Sequence, residues 1–540
     1  MSTGLAGNSS APLEPIREDG AEAERASPCA VSLESVKAAS LLDSVLETVG
    51  RTEEPSASAD EAGRRLQRFL AEPSWQRSLL LWFGERLPRS REAAIRSLSR
   101  DIALIDDLLN DQINAVLHHP DFQRLEASWR GLKYLVDSVD VEANVKIRVL
   151  SVSWRELTRD IERAIEFDQS QLFRKVYSEE FGVAGGEPFG LLVGDYEIHP
   201  APTPDHPYDD IGTLRGIAQV AAAAFAPFIA AAHPSMLGLD DFAELERPPN
   251  LDRVFQQKQF LPWNRFREAE EDSRYVGLTL PRVLWRTPYD DLASNDCGGV
   301  SAGGFPFRED VSGPGRNKYL WGNAAYAFAA VVVRSFQETG WLADIRGVRR
   351  DVIGGGLVTG LAVHSFETDR RGIATKSSTD VIITDMLEKS LGDYGFIPLC
   401  PCKDAPYSAF YGNSSVQKPK TFDRLAASVN ARISAMLQYT LCVSRFAHYL
   451  KVIARDRIGS FGEAQEIERH LQEWLAKYVT VDDDASPQVK CRFPLREAKV
   501  TVREIPGQAG KYECIMHLRP HYELEDLTMA VRLRSELAPA

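Results

Sequence analysis

The sequence lacks several features that define common classes of protein. Its 540 residues carry a formal charge of −14, so no excess of lysine and arginine offers a phosphate-binding surface, and nucleic-acid binding is disfavoured. The seven cysteines are scattered and odd in number, which is typical of reduced thiols rather than a disulfide framework. We therefore expect a cytoplasmic protein.

No segment is expected to enter a membrane. The most apolar run, residues 217–232, is rich in alanine and is interrupted by Pro227. It falls short of the roughly 20 residues that a spanning helix needs. The N-terminal residues have no apolar stretch behind a basic start, so no secretory signal is predicted either.

Catalytic motifs are incomplete. Ser301 lies in a G-x-S-x-G pattern, which in hydrolases exposes a nucleophilic serine on a tight turn between a strand and a helix. Glycines and asparagine precede it in place of an apolar strand, and Gly304 and Pro306 interrupt any following helix. A flexible loop is the favoured interpretation, and a serine hydrolase is a remote alternative. Residues 372–377 lack the glycines of a phosphate loop, and residues 354–360 depart by one residue from a dinucleotide-binding pattern, which favours close packing or a turn.

Cysteine and histidine residues do not occur at the spacing of a known type of metal site. Cys400 and Cys402 have no second cysteine or histidine pair, and a tetrahedral zinc site needs four ligands. His118 and His119 precede Pro120 and are expected to cap a helix or to pack. The remaining histidines considered have no spacing that joins them, namely His206, His364, His448 and His521. We predict no cofactor, no metal and no enzyme.

The clearest pattern lies at residues 118–137, where apolar residues recur every three or four positions and predict one face of an α-helix. Pro120 and Asp121 suit its first turn. Gly131 in its interior suggests that another backbone packs close. The apolar stripe consists of Phe122, Leu125, Trp129, Leu132 and Val136. The more solvent-exposed face of the helix is expected to carry Glu126, Arg130, Lys133 and Asp137.

The pattern of apolar and polar residues along the chain predicts a mixed α/β (α+β) fold in four parts. Residues 1–30 form a polar, disordered tail, and residues 31–140 form a helical region with helices at 31–49, 66–87, 91–117 and 118–137. Residues 141–400 alternate strands with helices, as in layered α/β domains. The strands are predicted at 145–152, 189–196, 228–232 and 275–280.

Residues 401–540 form the fourth part. A helix over 421–458 is predicted as a strut of about 55 Å, since each helical residue adds 1.5 Å. The next helix, 461–478, has a polar side with Glu466, Glu473 and Lys477. A hairpin over 499–518 precedes a terminal strand with period-two alternation, whose apolar face must pair with the edge of its own sheet, favoured on this pattern alone, or of a neighbour's. That face consists of Leu527, Met529, Val531, Leu533 and Leu537.

Several long blocks resemble the large subunit of the contractile sheath of type VI secretion systems, the TssC/VipB/EvpB family. The similarity extends over about residues 32–537. It is carried by HHPDFQRLEASWRGLKYLVD (118–137), EDSRYVGLTLPRVLWRTPYD (271–290), YLWGNAAYAFA (319–329), FIPLCPCKDAPYSAFYGNSSVQKPK (396–420), SRFAHYLKVIARDRIGSF (444–461) and LRPHYELEDLTMAVRLRSEL (518–537). Residues 1–30 and 199–207 depart from the family pattern.

The resemblance implies a mechanical role. Such a subunit pairs with a small sheath subunit (TssB/VipA) and polymerises with copies of itself around a tube of Hcp rings, on a baseplate. Contraction propels the tube and spike, and a AAA+ ATPase of the ClpV type disassembles the contracted sheath. A sheath protein of a related phage-tail-like injection system is the alternative.

The resemblance also implies roles for three sets of residues. Phe122, Leu125, Trp129 and Leu132 would belong to the helical region that faces the small subunit. The terminal strand, Leu527 to Leu537, would be exchanged with a neighbouring subunit. The polar side with Glu466, Glu473 and Lys477 is either an ordinary solvated surface or the face toward the inner tube.

Overall fold

A computed structural model describes most of the chain, in two compact units, Met1–Arg100 and Asp101–Ala540. The described residues are 57–84, 88, 90–183, 185–289, 307–313, 316–348, 352–365, 376–402, 405, 407–456, 464–482, 485–505, 512–521 and 531–537. The predicted tail, the helix over 31–49, Ser301, Leu527 and Met529 lie outside them.

The first unit is helical in its described part. Helix α1 (Ala57–Ala71) and helix α2 (Trp75–Phe83) replace the single helix predicted over 66–87. The chain breaks at Pro73 between them, because proline has no N–H to donate to the preceding turn. The rings of Phe69 and Trp82, 5.3 Å apart, pack the two helices together.

Helix α3 (Arg91–Leu117) has the predicted bounds, and the division between the two units falls within it. The unit boundary therefore differs from the predicted boundary at residue 140. Helix α4 (Pro120–Asp137) follows and belongs wholly to the second unit. The other helices of the second unit are α5 (Trp154–Arg163), α6 (Gln171–Phe173, continued as a π-helix over Arg174–Phe181), α7 (Asp210–Ala224), α8 (Leu251–Phe255), α9 (Leu261–Ala269), α10 (Ala325–Thr339), α11 (Asp385–Asp393), α12 (Leu425–Ser434), α13 (Leu437–Asp456), α14 (Ala464–Ala476) and α15 (Pro487–Arg492).

A six-stranded sheet forms the centre of the second unit, in the order β1-β2-β3-β9-β10-β6. The first four strands are parallel to their neighbours and the last two pair antiparallel, so the layered α/β prediction is confirmed. The strands are β1 (Leu192–Ile198), β2 (Phe228–Ala232), β3 (Val276–Leu280), β6 (Leu357–Val358), β9 (Phe396–Pro401) and β10 (Ser408–Phe410). Two small two-stranded sheets accompany it, β4 (Val283–Leu284) with β5 (Trp321–Gly322) and β7 (His364–Ser365) with β8 (Lys376–Ser377).

Both faces of this sheet are covered by helices. Phe228 and Ala230 contribute to one core cluster, with α7 and α9, while Ile229 between them contributes to the other, with α10. Successive side chains of a strand point to opposite faces, so a strand covered on both sides must be apolar throughout. All five residues of β2 are accordingly buried.

The predicted strut over 421–458 is wrong, because the helix is interrupted between α12 and α13. The interruption follows from main-chain pairing with a neighbouring segment. The Ser415 N–H donates to the carbonyl oxygen of Ala435 at 2.9 Å, and the Leu437 N–H donates to that of Asn413 at 2.9 Å. These bonds replace the helical ones, so the chain bends here.

The C-terminal sheet has the order β11-β12-β13, and the predicted hairpin is confirmed as β11 (Leu495–Glu504) and β12 (Tyr512–Pro520). Helix α14 packs onto this sheet through Ile467, Leu471 and Leu475. The boundary predicted after residue 400 falls inside β9, whose Pro401 pairs with Ser408 of β10. The central sheet therefore continues beyond that boundary.

One predicted strand, residues 145–152, is extended but unpaired. No other described strand lies beside it, and Val149 and Leu150 are exposed. A strand is assigned only where its main chain forms a ladder, so the local pattern predicted the conformation correctly and the pairing incorrectly.

Helix α13 carries a histidine that is buried without charge. The Nε2–H of His448 donates to the carbonyl oxygen of Ala224 at 2.8 Å, and the rings of Phe181 and Phe225 meet the imidazole edge to face. Burial lowers the pKa of His448 to about 4. Stability from this group is therefore complete above the unfolded pKa of about 6.5 and is lost as the pH falls toward 4.

We expect acidification from pH 6.5 to 4 to reduce the free energy of unfolding by roughly 3 kcal/mol through His448 alone. The variant His448→Gln keeps an N–H donor for Ala224 but does not titrate, so its stability should fall less over this range. Urea unfolding at pH 7, 5.5 and 4 measures the difference. His233, whose pKa burial also lowers to about 4, leaves a residual slope in both proteins. Equal slopes would contradict the prediction.

Candidate functional site

Helix α4 is fixed to the second unit by a face of small residues. Ala127, Gly131 and Leu135 are its buried residues. A Cβ atom placed on Gly131 would lie 2.5 Å from Cδ2 of Tyr326 on α10, closer than two carbons can approach. Glycine is required here because an aromatic ring lies against the helix, where the sequence suggested a neighbouring backbone.

A buried ion-pair network fastens the same helix. Arg286 donates through Nε to Oε1 of Glu126 on α4 at 2.8 Å and through Nη2 to Oε1 of Glu309 at 3.1 Å. His118 lies 3.2 Å from Glu309. Arg286 is 7% exposed, so Glu126 does not belong to a solvated side as predicted. A buried guanidinium keeps its charge when carboxylates surround it.

The helix begins as the sequence predicts. His119 is the N-cap, and its Nδ1 accepts a hydrogen bond from the Asp121 N–H at 3.3 Å. Pro120 occupies the first helical position, where no N–H is needed. His118 and His119 thus serve as an ion-pair partner and a cap.

The predicted apolar stripe of α4 faces outward. Trp129 is 64% exposed, Val136 48% and Leu125 40%, while Phe122 and Leu132 are partly buried. Core packing is thus provided by the adjacent face, and the stripe has no cover within the described part of the chain. Large apolar side chains grouped on the surface are typical of protein–protein contacts.

Helix α3 shows the same arrangement within the second unit. Asn110 and Asn114 hold it in place, because Oδ1 of Asn110 accepts from the Arg308 N–H at 3.1 Å and Oδ1 of Asn114 accepts from the Asp310 N–H at 2.9 Å. Its apolar residues lie on the remaining circumference and none is buried. We call the following residues the exposed helical stripes: Ile102, Leu104, Ile105, Leu108, Leu109, Ile113, Leu125, Trp129 and Val136.

The terminal strand, β13 (Val531–Leu537), pairs antiparallel with β12 of its own chain in this structure. Val531 lies opposite Leu518, Leu533 opposite Met516, and Leu537 opposite Tyr512. The strand itself is confirmed, and its exchange with a neighbour stays a prediction. Glu466, Glu473 and Lys477 are all exposed at α14, as their pattern predicts.

The remaining sequence candidates for chemistry have structural roles. Burial raises the pKa of the Cys400 thiol to about 12, so it is neither a thiolate nucleophile nor a ready metal ligand. In the glycine run at 354–360, a Cβ atom on Gly356 would overlap the carbonyl oxygen of Phe410. Close backbone packing, one of the two interpretations offered for that run, is confirmed.

The sequence analysis missed one polar cluster. His206 Nε2 lies 2.7 Å from Oδ1 of the buried Asp210, which also accepts from Nε1 of Trp154 at 2.6 Å. The His199 main-chain N–H donates to Oδ2 at 2.8 Å. The prediction that no spacing joins His206, His364, His448 and His521 to one another is not contradicted, because the partners of His206 are Asp210 and His199, which were not considered with it. The i, i+4 spacing of His206 and Asp210 was the available signal.

The stacking of three imidazole rings determines whether this cluster can bind a metal ion. The His199 ring lies between those of His206 and His233, with centroids 4.1 and 4.0 Å away. A metal ion must lie in the plane of each ligating ring, and nearly parallel planes at this separation do not meet at one ion. His199, His206 and Asp210 instead clamp the segment that precedes α7.

Layered α/β architecture and apolar helix faces that no described residue covers are features of a structural subunit that is completed by other subunits. No helix among the described residues combines the length and apolarity needed to cross a bilayer. Two family models match the chain: the EvpB-type tail sheath N-terminal domain (VipB) over residues 99–417 and the tail sheath gpW/gp25-like domain over residues 426–537.

The chain belongs to the VipB/EvpB family of type VI secretion system sheath proteins. It is 41% identical over 485 residues to the type VI secretion system sheath protein TssC1 of Pseudomonas aeruginosa strain PAO1. The match covers 89% of this chain and 92% of that relative. The protein is therefore structural and not an enzyme.

Proposed function

We propose that the chain is the large sheath subunit that pairs with a small sheath subunit and polymerises in the cytoplasm around the Hcp tube. The observation that carries this proposal is the set of exposed helical stripes. Helix α4 is rigidly fastened through Gly131 and Arg286, yet it presents Trp129 and Val136 to water. Such a face is expected on one half of a permanent heterodimer.

The energetics favour this assignment. Fully burying one large apolar side chain contributes about 1.5–3 kcal/mol, so covering the stripes of α3 and α4 offers enough to offset the entropy of association. The net charge of −14 does not oppose it, because no charged residue belongs to the stripes themselves. We infer that the small subunit covers α3 and α4, with Phe122 and Leu132 at the margin of its contact.

Polymerisation is proposed to use the terminal strand. The ladder between β12 and β13 joins residues 512–518 to residues 531–537 by main-chain pairing. The same ladder forms equally well when β13 comes from a neighbouring subunit, since backbone bonds do not depend on which chain supplies them. Exchange would link subunits flexibly while their domains rotate during contraction.

Other surfaces follow from the same proposal. The exposed polar side of α14, with Glu466, Glu473 and Lys477, is proposed to face the tube. The baseplate and a ClpV-type AAA+ ATPase are proposed as partners at assembly and disassembly. Contraction requires many identical contacts with two alternative packings, whose summed energy difference drives the movement.

Co-expression with the small sheath subunit of the same gene cluster tests this function. We expect a stable complex that forms hollow tubules in negative-stain electron micrographs. The same chain expressed alone is the control and should form no tubules. A soluble chain that binds no small subunit at any salt concentration tried would contradict the proposal.

A further inference from the structure

Residues 144–153 form an extended segment whose main chain is largely unused. Lys146 and Arg148 pair through their side chains with Glu187 and Glu180, which holds the segment in place. Among the described residues, no main-chain hydrogen bond is made by residues 146–151. Backbone donors and acceptors left unpaired in an ordered extended segment are a ready template for another strand.

The side chains of this segment alternate as they would within the central sheet. Ile147 packs on the cluster of Leu135 and Ala329, on which Leu191 and Val193 also pack. Val152 packs on the opposite cluster, together with Leu192 and Tyr196. Ile147 and Val152 thus reach the two faces of the sheet that flank β1. The segment has the orientation of a strand that belongs to this sheet.

Strand β1 lies at the edge of that sheet, and β2 is its only partner among the described strands. The segment does not pair with β1, although the Tyr196 hydroxyl donates to the Val152 carbonyl oxygen at 2.7 Å. Neighbouring strands of a sheet lie about 4.8 Å apart and form a ladder. Residues 146–151 form none with β1, so the segment does not occupy the position of the next strand, and the β1 edge opposite β2 is unpaired among the described residues.

We infer that β1 and residues 144–153 form the two sides of a slot that accepts one β-strand from the subunit that covers α4. This inference rests on the proposed function, which identifies that subunit as the small sheath subunit. The strand would add to the β1 edge on one side and to residues 146–151 on the other. The central sheet would then have eight strands across both chains.

The position of the slot beside α4 indicates which protein supplies the strand. Ile147 packs on Leu135 of α4, and the same helix exposes Val136 beside it and Trp129 two turns earlier. A protein that covers Val136 therefore lies next to the residue, Leu135, on which the segment packs. Val149 and Leu150, exposed at the slot, supply further apolar contact for a partner strand.

Hydrogen exchange on the purified complex tests the slot directly. Residues 146–151 have no acceptor within the described chain, so their amides should exchange rapidly unless the partner supplies one. We expect at least about 100-fold slower exchange for the amides that face the slot, measured against the free chain where it is soluble and otherwise against unstructured rates. Unprotected amides in an intact complex would overturn the slot and leave the heterodimer standing.

Two proline variants provide an independent test. N–H groups of consecutive residues in an extended segment point in opposite directions, so one of Val149 and Leu150 faces the slot and the other faces away. Val149→Pro and Leu150→Pro should leave the free chain folded, because neither N–H is used there. We expect one variant to weaken the complex about tenfold or more and the other to bind nearly as the wild type. Equal effects, or none, would overturn the inference, whereas a wild-type chain that forms no complex would refute the proposed function.

Discussion

We expect the double variant Leu125→Asp/Trp129→Asp to lose binding to the proposed small sheath subunit and still to fold. Both side chains belong to the exposed helical stripes, at 40% and 64% exposure, so charge at these positions meets water in the free chain. In the complex the same carboxylates would be enclosed by apolar groups without partners, which costs roughly 2 kcal/mol or more for each. We expect affinity to fall about 1,000-fold or more, equivalent to about 4 kcal/mol.

Co-purification and calorimetric titration measure the loss, and far-UV circular dichroism checks the fold. Met386→Asp is the matched control, because Met386 is an apolar residue on α11 that is 85% exposed and lies outside the stripes. The control should bind as the wild type. Retention of binding within about threefold by the double variant would assign the partner to another surface.

We expect Ser535→Cys to convert the proposed strand exchange into a covalent bond. Ser535 on β13 lies directly opposite Cys514 on β12. Opposed residues of an antiparallel pair have Cα atoms about 4.5–5.5 Å apart, within the range that a disulfide bridges. In assembled sheath, oxidation should link most chains into a ladder of multimers on a non-reducing gel. In the free chain the same bond should close within one molecule.

Arg534→Cys is the control for this experiment. It lies one residue earlier, opposite Ile515, and consecutive positions of a strand belong to opposite faces of its sheet. It should give no ladder under the same oxidation. A sheath of Ser535→Cys subunits in which every disulfide is intramolecular would show that β13 remains in its own sheet during assembly.

Local pattern predicted the elements whose environment is set by nearby sequence. Helix α3 has the predicted bounds because its periodicity is uninterrupted over 27 residues. Strand β2 was equally clear, since five apolar residues follow Pro227. Cap chemistry placed the start of α4 at His119 and Pro120. In each case the residues within the element are enough to favour one local structure.

Long-range pairing explains most of the differences. The helix predicted over 421–458 is interrupted because Ala435 and Leu437 form main-chain hydrogen bonds with Ser415 and Asn413. No pattern within residues 421–458 encodes these bonds. The outward orientation of Trp129 was also hidden, because an apolar stripe predicts burial without saying against which chain. The stacking of His199 on His233 was hidden too, because it depends on the pairing of Ile198 in β1 with Ala232 in β2.

The fastening of α4 has a consequence for how the sheath carries force. A partner seated on this helix would pull on an element that packs at Gly131 against the ring of Tyr326 on α10 and that is bound through Glu126 to the guanidinium of Arg286. Under the proposed function, tension on the helix would be shared between these contacts, which lie along its length, and the helix would not separate turn by turn. The most rigid connection between the bound partner and the rest of the subunit would therefore lie beneath Trp129.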